Sequence, residues 1–144
     1  MVKKEYQIIA KNYDLAGRAS SDIKRTLKSM NLCRSLMKRV CSSSYEAEIN
    51  IVIHSYGGYA IFEINDQEIK LEFHDDGPGI FDIELAMQEG YSTATELDHM
   101  NGFGAGMGLS NIKKSADTMD LKSSEFGTDL ILTFKITGEC YDED

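Results

Sequence analysis

Three polar side chains recur every fourth residue near the middle of the chain. Glu46, Asn50 and His54 are separated mainly by apolar residues, so a helix would stack them on one face of an otherwise buried segment. Burying polar groups costs free energy unless they find partners, and a cation carrying a bound phosphate would supply them. The amide oxygen of Asn50 suits Mg²⁺, and the carboxylate of Glu46 can hold and deprotonate a nucleophile.

The same triplet also has a purely structural interpretation. Glu46 and His54 would then be half-exposed surface residues, and Asn50 would be hydrogen-bonded in the core. On the spacing alone, the structural interpretation is favoured. Glu48 points to another side of the same predicted helix, and we expect it to be solvated.

Residues 75–79 (DDGPG) form the first of two glycine-rich segments and follow a predicted strand. Glycines there allow the backbone to turn with positive φ and to approach a ligand closely. An aspartate at the end of that strand can accept a hydrogen bond from an exocyclic amine such as that of adenine. Asp, Gly and Pro are also the commonest turn residues, so for this segment alone a plain turn is favoured.

Residues 102–108 (GFGAGMG) carry four glycines at alternate positions, directly before a predicted helix that begins near Leu109. The free N–H groups and positive dipole end of a helix amino terminus bind anions. A dinucleotide-binding loop would need a preceding strand and a P-loop would need Gly-Lys-Ser/Thr, and both are missing. Lys113 and Lys114 either add positive charge to this site or are simply solvated.

Taken in order, these segments resemble the GHKL ATPases, the superfamily of gyrase, the large heat-shock chaperones, mismatch-repair ATPases and histidine kinases. The N box matches residues 46–54 (EAEINIVIH), and the two glycine boxes match 75–80 (DDGPGI) and 104–109 (GAGMGL). Thr128 resembles the threonine of a late Gly-Thr pair, and the resemblance covers roughly residues 40–136. The chain's size and second box are most similar to the free-standing anti-sigma factors and switch-type serine kinases of bacteria.

The resemblance implies a role for each matching residue. Asn50 would coordinate Mg²⁺, Glu46 would be the general base or would position the attacking hydroxyl, and Asp75 would accept a hydrogen bond from the adenine amine. Segment 81–103 would be the lid over ATP, and His54 would serve packing or support. The remaining implied nucleotide-binding residues are the glycines that pass the base (Gly77, Gly79), the glycines that wrap the phosphates (Gly104, Gly106, Gly108), and Thr128 at the adenine end.

The helices and strands that the sequence pattern indicates predict an α+β fold. We expect a two-layer α/β sandwich, the Bergerat ATP-binding fold in the terms of the resemblance, with a mixed, mostly antiparallel sheet covered on one face by helices. A single domain would span 1–137, followed by a frayed acidic tail, 138–144. The predicted strands are 5–15, 59–64, 69–73, 121–124 and 130–136; the predicted helices are 23–30, a stretch from Leu32 to Tyr56 that restarts or kinks at Ser43, a short one from Asp82 to Gly90, and 109–119.

Composition narrows the class of protein. A formal net charge of -9 over 144 residues argues against a nucleic-acid partner, which needs a basic face. The chain contains neither an apolar run of membrane-spanning length nor a signal-like amino terminus, so we expect a cytoplasmic protein with no membrane partner. Three cysteines without a CxxC pair are typical of reduced, structural thiols.

Three functional hypotheses follow from the resemblance. The first is a Mg-ATP-dependent serine/threonine protein kinase that phosphorylates a small regulatory protein, such as an anti-sigma-antagonist domain. The second is an ATP-gated anti-sigma factor or adaptor that captures a sigma factor or similar partner with little phosphoryl transfer. The third is a domain with the GHKL fold that has lost the ability to bind nucleotide. A homodimer is possible by analogy with the family.

Overall fold

The computed structural model describes residues 1–77, Met87 and residues 108–137. The predicted helix from Asp82 to Gly90, the proposed lid and the acidic tail therefore lie outside the described residues, apart from Met87. The described elements are, in chain order, β1 (Val2–Ile8), α1 (Arg18–Lys28), α2 (Arg34–His54), β2 (Gly58–Ile64), β3 (Glu68–Asp76), α3 (Gly108–Ser115), β4 (Thr118–Ser124) and β5 (Gly127–Lys135).

The five described strands form one sheet in the order β1-β2-β3-β5-β4, and each neighbouring pair is antiparallel. Side chains alternate between buried and more exposed along β2, β3 and β5, as expected for a sheet that is covered on one face. The predicted α+β class, with a largely antiparallel sheet under a layer of helices, is confirmed.

The core lies between this sheet and the helices. Phe62, Leu71 and Phe134 point inward from the three central strands and are fully buried. They belong to the same apolar cluster as Ile23 of α1 and Val40 of α2. This packing holds α2 across the sheet, which fixes where its polar face lies.

Helix α2 runs without a break through Ser42, Ser43 and Ser44, so the predicted restart at Ser43 is wrong. Ser44 donates from its Oγ to the Cys41 carbonyl at 2.9 Å, and both Ser43 and Ser44 are buried. A serine whose hydroxyl bonds back to a carbonyl of its own helix can lie in the interior of that helix.

Glu48 is 3% exposed, so the expectation that it is solvated is wrong. Its carboxylate accepts hydrogen bonds from the backbone N–H groups of Gly17 (3.0 Å), Ala19 (3.2 Å) and Ser20 (2.9 Å). Helix α1 has no side-chain cap from Gly17, which precedes it in a left-handed conformation. Glu48 supplies that cap from a distant part of the chain, and this explains why an acidic residue is buried there.

Two further expectations are revised. Cys33 is disulfide-bonded and Cys41 is free, so the prediction of reduced cysteines is wrong for Cys33. The helix predicted to reach residue 119 ends at Ser115, because Asp117 donates its N–H to Thr133 and so begins the β4–β5 ladder. None of the helices within the described ranges has the length and apolarity that crossing a membrane requires.

Candidate functional site

Two polar residues of α2 meet the first residue of α3. Glu46 and Asn50 are both half-buried, one helical turn apart. A Cβ atom added to Gly108 would lie 3.3 Å from both polar atoms of the Asn50 amide and 3.3 Å from Oε2 of Glu46. The end of the second glycine segment therefore rests on the predicted metal-binding face of α2, and only glycine leaves this space open.

Glu46 sits in an environment that favours its neutral form. Burial raises the pKa of its carboxyl, and among the described residues no charged neighbour contributes to that shift. Within the described residues no hydrogen-bond donor reaches its carboxylate. The carboxylate is thus available to accept a proton or a hydrogen bond from a bound group.

Helix α3 presents its amino terminus at this point. Gly108 is its first residue, so the positive end of the helix dipole lies beside Glu46 and Asn50. Lys113 and Lys114 lie in the last turn of α3 and are exposed. They are at the opposite end of the helix, which favours the solvated interpretation over a contribution to anion binding at Gly108.

Asp75 and Thr128 form a second polar pair, on β3 and β5. The antiparallel register places them opposite each other, and the Thr128 N–H donates to Oδ1 of Asp75 at 3.1 Å. Asp75 follows the same alternation as Leu71 and Phe73, so it faces the helix side of the sheet. Burial raises its pKa to about 6, with Asp129 and Asp76 adding to the effect and the Thr128 N–H opposing it.

Gly77 has a structural reason to be glycine. Its N–H donates to the Phe126 carbonyl at 2.7 Å, and a Cβ there would lie 2.6 Å from the Glu125 carbonyl oxygen. The strand end that carries Asp75 is therefore pinned to the β4–β5 turn. Gly127 lies even closer to β3, because a Cβ on it would overlap the Asp75 carbonyl oxygen.

Sequence reasoning missed some residues that shape this region. Ser123 lies opposite Thr128 and hydrogen-bonds to its hydroxyl at 2.8 Å, so it fixes the Thr128 side chain. Gly58 lets β2 approach β3 beside Asp75, since a Cβ there would overlap the His74 carbonyl oxygen. At both positions, the only indication that the sequence offered was the type of residue, a serine and a glycine. The predicted sites Gly79, Gly104 and Gly106 lie outside the described residues, and His54 is half-buried at the last residue of α2.

A family model described as "Histidine kinase-, DNA gyrase B-, and HSP90-like ATPase" matches residues 29–138. This range holds both polar pairs and both glycine segments. The chain belongs to this ATPase family. The resemblance drawn from the N box and the two glycine boxes is thereby confirmed, and family membership implies that the chain binds ATP.

Proteins similar in sequence include the anti-sigma F factors of Bacillus cytotoxicus, Bacillus thuringiensis and Bacillus mycoides. Each is 33% identical to the chain over 95 residues, which is 61% of this chain and 62% of the relative. The chain thus aligns with less than two thirds of their length. A crystal structure of the RsbU and RsbW domains of Rv1364c from Mycobacterium tuberculosis has a TM-score of 0.67 at 13% identity, covering 100% of this chain and 35% of that one. This second likeness shows the fold.

The donor groups fit the ligand that this ATPase family implies. An amide oxygen and a carboxylate are ligands that Mg²⁺ accepts alongside water and phosphate oxygens, and Asn50 and Glu46 offer both at one place. The open space at Gly108 lets a phosphate approach the amino terminus of α3. Thr128 occupies one oxygen of Asp75, which leaves the other to accept from an amine such as that of adenine.

Proposed function

We propose that the chain is a Mg-ATP-dependent serine/threonine protein kinase of the anti-sigma-factor type, acting on a small regulatory protein in the cytoplasm. The observation that carries this proposal is the contact at Gly108, which brings a base, a metal ligand and a helix amino terminus to one point. A helix amino terminus binds phosphate, and the two side chains of α2 stand beside it. Phosphoryl transfer depends mainly on such positioning and charge neutralisation.

Each residue has a defined task in this proposal. Bound Mg-ATP supplies the phosphoryl group and the cation that offsets its charge. Asn50 gives its amide oxygen to the cation. Glu46 accepts the proton of the attacking serine or threonine hydroxyl, and its raised pKa makes it a stronger base than an exposed glutamate.

In this proposal, the adenine ring of ATP is bound by different residues from those that bind its phosphates. Asp75 accepts from the exocyclic amine, and the Thr128 N–H keeps that carboxylate oriented. We assign Gly77 and Gly79 to the passage of the base. Gly104, Gly106 and Gly108 are assigned to the wrapping of the phosphates.

Phosphate transfer tests the proposal directly. The purified chain is incubated with Mg²⁺ and γ-labelled ATP, together with anti-sigma-antagonist-domain proteins encoded beside its gene. We expect label on a serine or threonine of one of them, and we expect Glu46→Gln to lose this transfer while still binding ATP. Glu5→Gln is the matched control, because Glu5 is exposed on β1.

Calorimetric titration separates nucleotide binding from transfer. Asn50→Ala should lose the Mg²⁺-dependent part of ATP binding, and Asn50→Asp should keep part of it because an oxygen ligand remains. Tight ATP binding without phosphate transfer to any candidate partner, unchanged by Glu46→Gln, would refute the kinase and leave the binding site intact. The absence of ATP binding at millimolar concentration would favour a domain that has lost nucleotide.

A second function, ATP-gated capture of a protein partner, is favoured by the relatives. The similar Bacillus proteins are called anti-sigma F factors, a name that describes action on a sigma factor. In this case ATP orders the nucleotide site and shifts the partner-binding surface. The test compares partner affinity with ADP and with a non-hydrolysable ATP analogue, and sedimentation of the same samples checks for a homodimer. A difference between the two nucleotides without turnover would favour this function over the kinase.

A further inference from the structure

Helix α3 is held against α2 at both of its ends. At its amino terminus, Gly108 rests on Glu46 and Asn50. At its carboxyl terminus, the Ser115 carbonyl accepts a hydrogen bond from Nη1 of Arg39 at 2.9 Å. The two helices therefore run antiparallel, and a guanidinium group holds the end of α3 that lies farthest from the proposed phosphate site.

The two contacts are spaced equally along both helices. Arg39 and Glu46 are seven residues apart on α2. Gly108 and Ser115 have the same separation on α3, and at 1.5 Å per residue both separations are about 10 Å. An anchor at each end therefore fixes how far α3 is shifted along α2. That shift decides where the first N–H groups of α3 lie relative to Glu46 and Asn50.

The residue between these two anchors on α2 is Ser43. Arg39, Ser43 and Glu46 follow one another at spacings of four and three residues, so the helix places them on one face. Ser43 is 1% exposed, and its Oγ has no hydrogen-bond partner among the residues that the structure describes. Within those residues, the Ser43 hydroxyl therefore supplies no directional contact that would oppose a shift of α3 along α2.

Arg39 is in turn fixed by the sheet. Its Nη1 lies 3.8 Å from Oδ1 of Asp117, and Oδ2 of Asp117 accepts the Lys135 N–H at 2.6 Å. The Asp117 N–H donates to the Thr133 carbonyl of β5 at 2.9 Å. Because a guanidinium group carries several donors in a rigid plane, it can hold a helix carbonyl and a carboxylate together. A cation at this place also complements the negative end of the α3 dipole.

We propose that Arg39 is a positioning residue for the phosphates of bound ATP. By holding the carboxyl end of α3 to α2 and to the sheet, it sets the place of the α3 amino terminus beside Glu46 and Asn50. Arg39 acts through α3 rather than on the nucleotide, because its contact lies at the opposite end of α3 from Gly108. The inference rests on the proposed placement of the phosphates at Gly108, and it adds a distant residue that governs phosphate binding but not adenine binding.

Ligand-detected NMR titration, which also measures weak binding, tests this role with two ligands. Arg39→Met removes the guanidinium group and keeps a long side chain, so we expect about tenfold weaker binding of Mg-ATP. Adenosine, which has the base but no phosphates, should bind with unchanged affinity. In a folded variant, loss of affinity for both ligands or for neither would overturn the proposal, because a purely structural role does not distinguish the phosphates from the base.

Matched variants isolate the guanidinium group. Arg39→Lys keeps one charged donor and should recover part of the affinity for Mg-ATP. Ser115→Ala retains the carbonyl that Arg39 contacts, and Lys38→Met removes an exposed positive charge from α2, so both should bind Mg-ATP as the native chain does. Ser43→Ala removes only the unpartnered hydroxyl and should also bind normally. Equal losses in Lys38→Met and Arg39→Met would overturn the proposal, since net charge would then govern binding.

Gly108→Ala, measured in the same way, separates this inference from the proposed function. If Gly108→Ala weakens Mg-ATP binding and Arg39→Met does not, the phosphates approach α3 but Arg39 does not position them. If neither variant differs from the native chain, the phosphate placement fails and this inference fails with it. If both act through the same end of α3, the double variant should lose less affinity than the product of the two separate losses.

Hydrogen exchange on the unaltered chain guards against misfolded variants. The amides of Ala116 and Asp117 are hydrogen-bonded at the end of α3 that Arg39 holds. If this end is linked to the phosphates, Mg-ATP should slow the exchange of both amides several-fold, because a ligand stabilises the whole unit that it binds. Adenosine should leave their exchange unchanged. Exchange that Mg-ATP does not slow, or that adenosine slows equally, would refute the link.

Discussion

The carboxyl of Asp75 lies half-buried at the end of β3, and burial raises its pKa to about 6 from a usual value of 3.8. For an acid whose folded-state pKa is raised, the stabilising contribution is fully present below the unfolded value and is lost as pH rises through the folded value. At neutral pH the ionised Asp75 therefore destabilises the fold. In the proposed site, the amine of adenine would donate a hydrogen bond to this carboxylate.

Asp75→Asn should make the ligand-free protein more stable at pH 7, by about 1 kcal/mol once the shift is discounted for solvent screening. Asparagine still offers an oxygen to the Thr128 N–H. The gain should vanish below about pH 4, where the native carboxyl is protonated in both states. Urea unfolding at both pH values measures this, and calorimetry should show about tenfold weaker ATP binding at pH 7. Equal ATP affinity in the variant would count against the adenine assignment.

In the proposed site, Gly108 is the described glycine whose missing side chain leaves room for the phosphates. In Gly108→Ala the new Cβ would lie 3.3 Å from the polar ends of Glu46 and Asn50, filling the space that a phosphate needs. We expect at least about tenfold weaker Mg-ATP binding, while the fold persists because alanine favours a helix over glycine by up to about 1 kcal/mol.

Thermal unfolding together with a Mg-ATP titration checks the Gly108 prediction. Ser115→Ala, at the other end of α3, is the control and should change neither quantity. Unchanged nucleotide affinity in folded Gly108→Ala would mean that the phosphates do not approach α3.

At the scale of elements, α1 depends on a carboxylate from α2. The Glu48 side chain accepts three backbone N–H groups at the start of α1, two of them in buried hydrogen bonds. Glu48→Ala leaves these donors without an acceptor, so we expect a loss of about 3 kcal/mol in the free energy of unfolding. Glu48→Gln retains one acceptor oxygen and should lose less, and Glu5→Ala on exposed β1 should have little effect. A loss below about 1 kcal/mol for Glu48→Ala in urea unfolding would show that solvent caps α1 instead.

Most of the elements were predictable because their patterns are local. The alternation along β2, β3 and β5 and the helical spacing in α1 need no knowledge of tertiary neighbours. Glu48 was misjudged because its partners lie near residue 17, and no local pattern indicates that a distant helix needs a cap. The continuity of α2 was unclear for a different reason, since serine hydroxyls can either start a helix or bond back within one.

At the scale of the whole molecule, the site is assembled by sheet topology. Asp75 and Thr128 are 53 residues apart and become partners only because β5 inserts between β3 and β4. The order of the N box and the two glycine boxes along the sequence was enough to pick out the residues of both polar pairs as candidates. It could not show that Gly77 contacts the β4–β5 turn or that Ser123 holds Thr128, because both contacts depend on that strand order.

Because the proposed ligand contacts α2, α3, β3 and β5 together, its binding should stabilise the molecule as a unit. A ligand that binds only the folded state adds about 2.7 kcal/mol at 100 times its Kd, which for a domain of this size raises Tm by about 8 °C. We expect Mg-ATP to produce such a concentration-dependent rise in scanning calorimetry. EDTA should remove most of it, and Asn50→Ala should respond equally with and without Mg²⁺. GTP should give a smaller rise than ATP, since guanine has a carbonyl oxygen in place of the 6-amine of adenine from which Asp75 would accept. Equal shifts for both nucleotides would place the base away from β3.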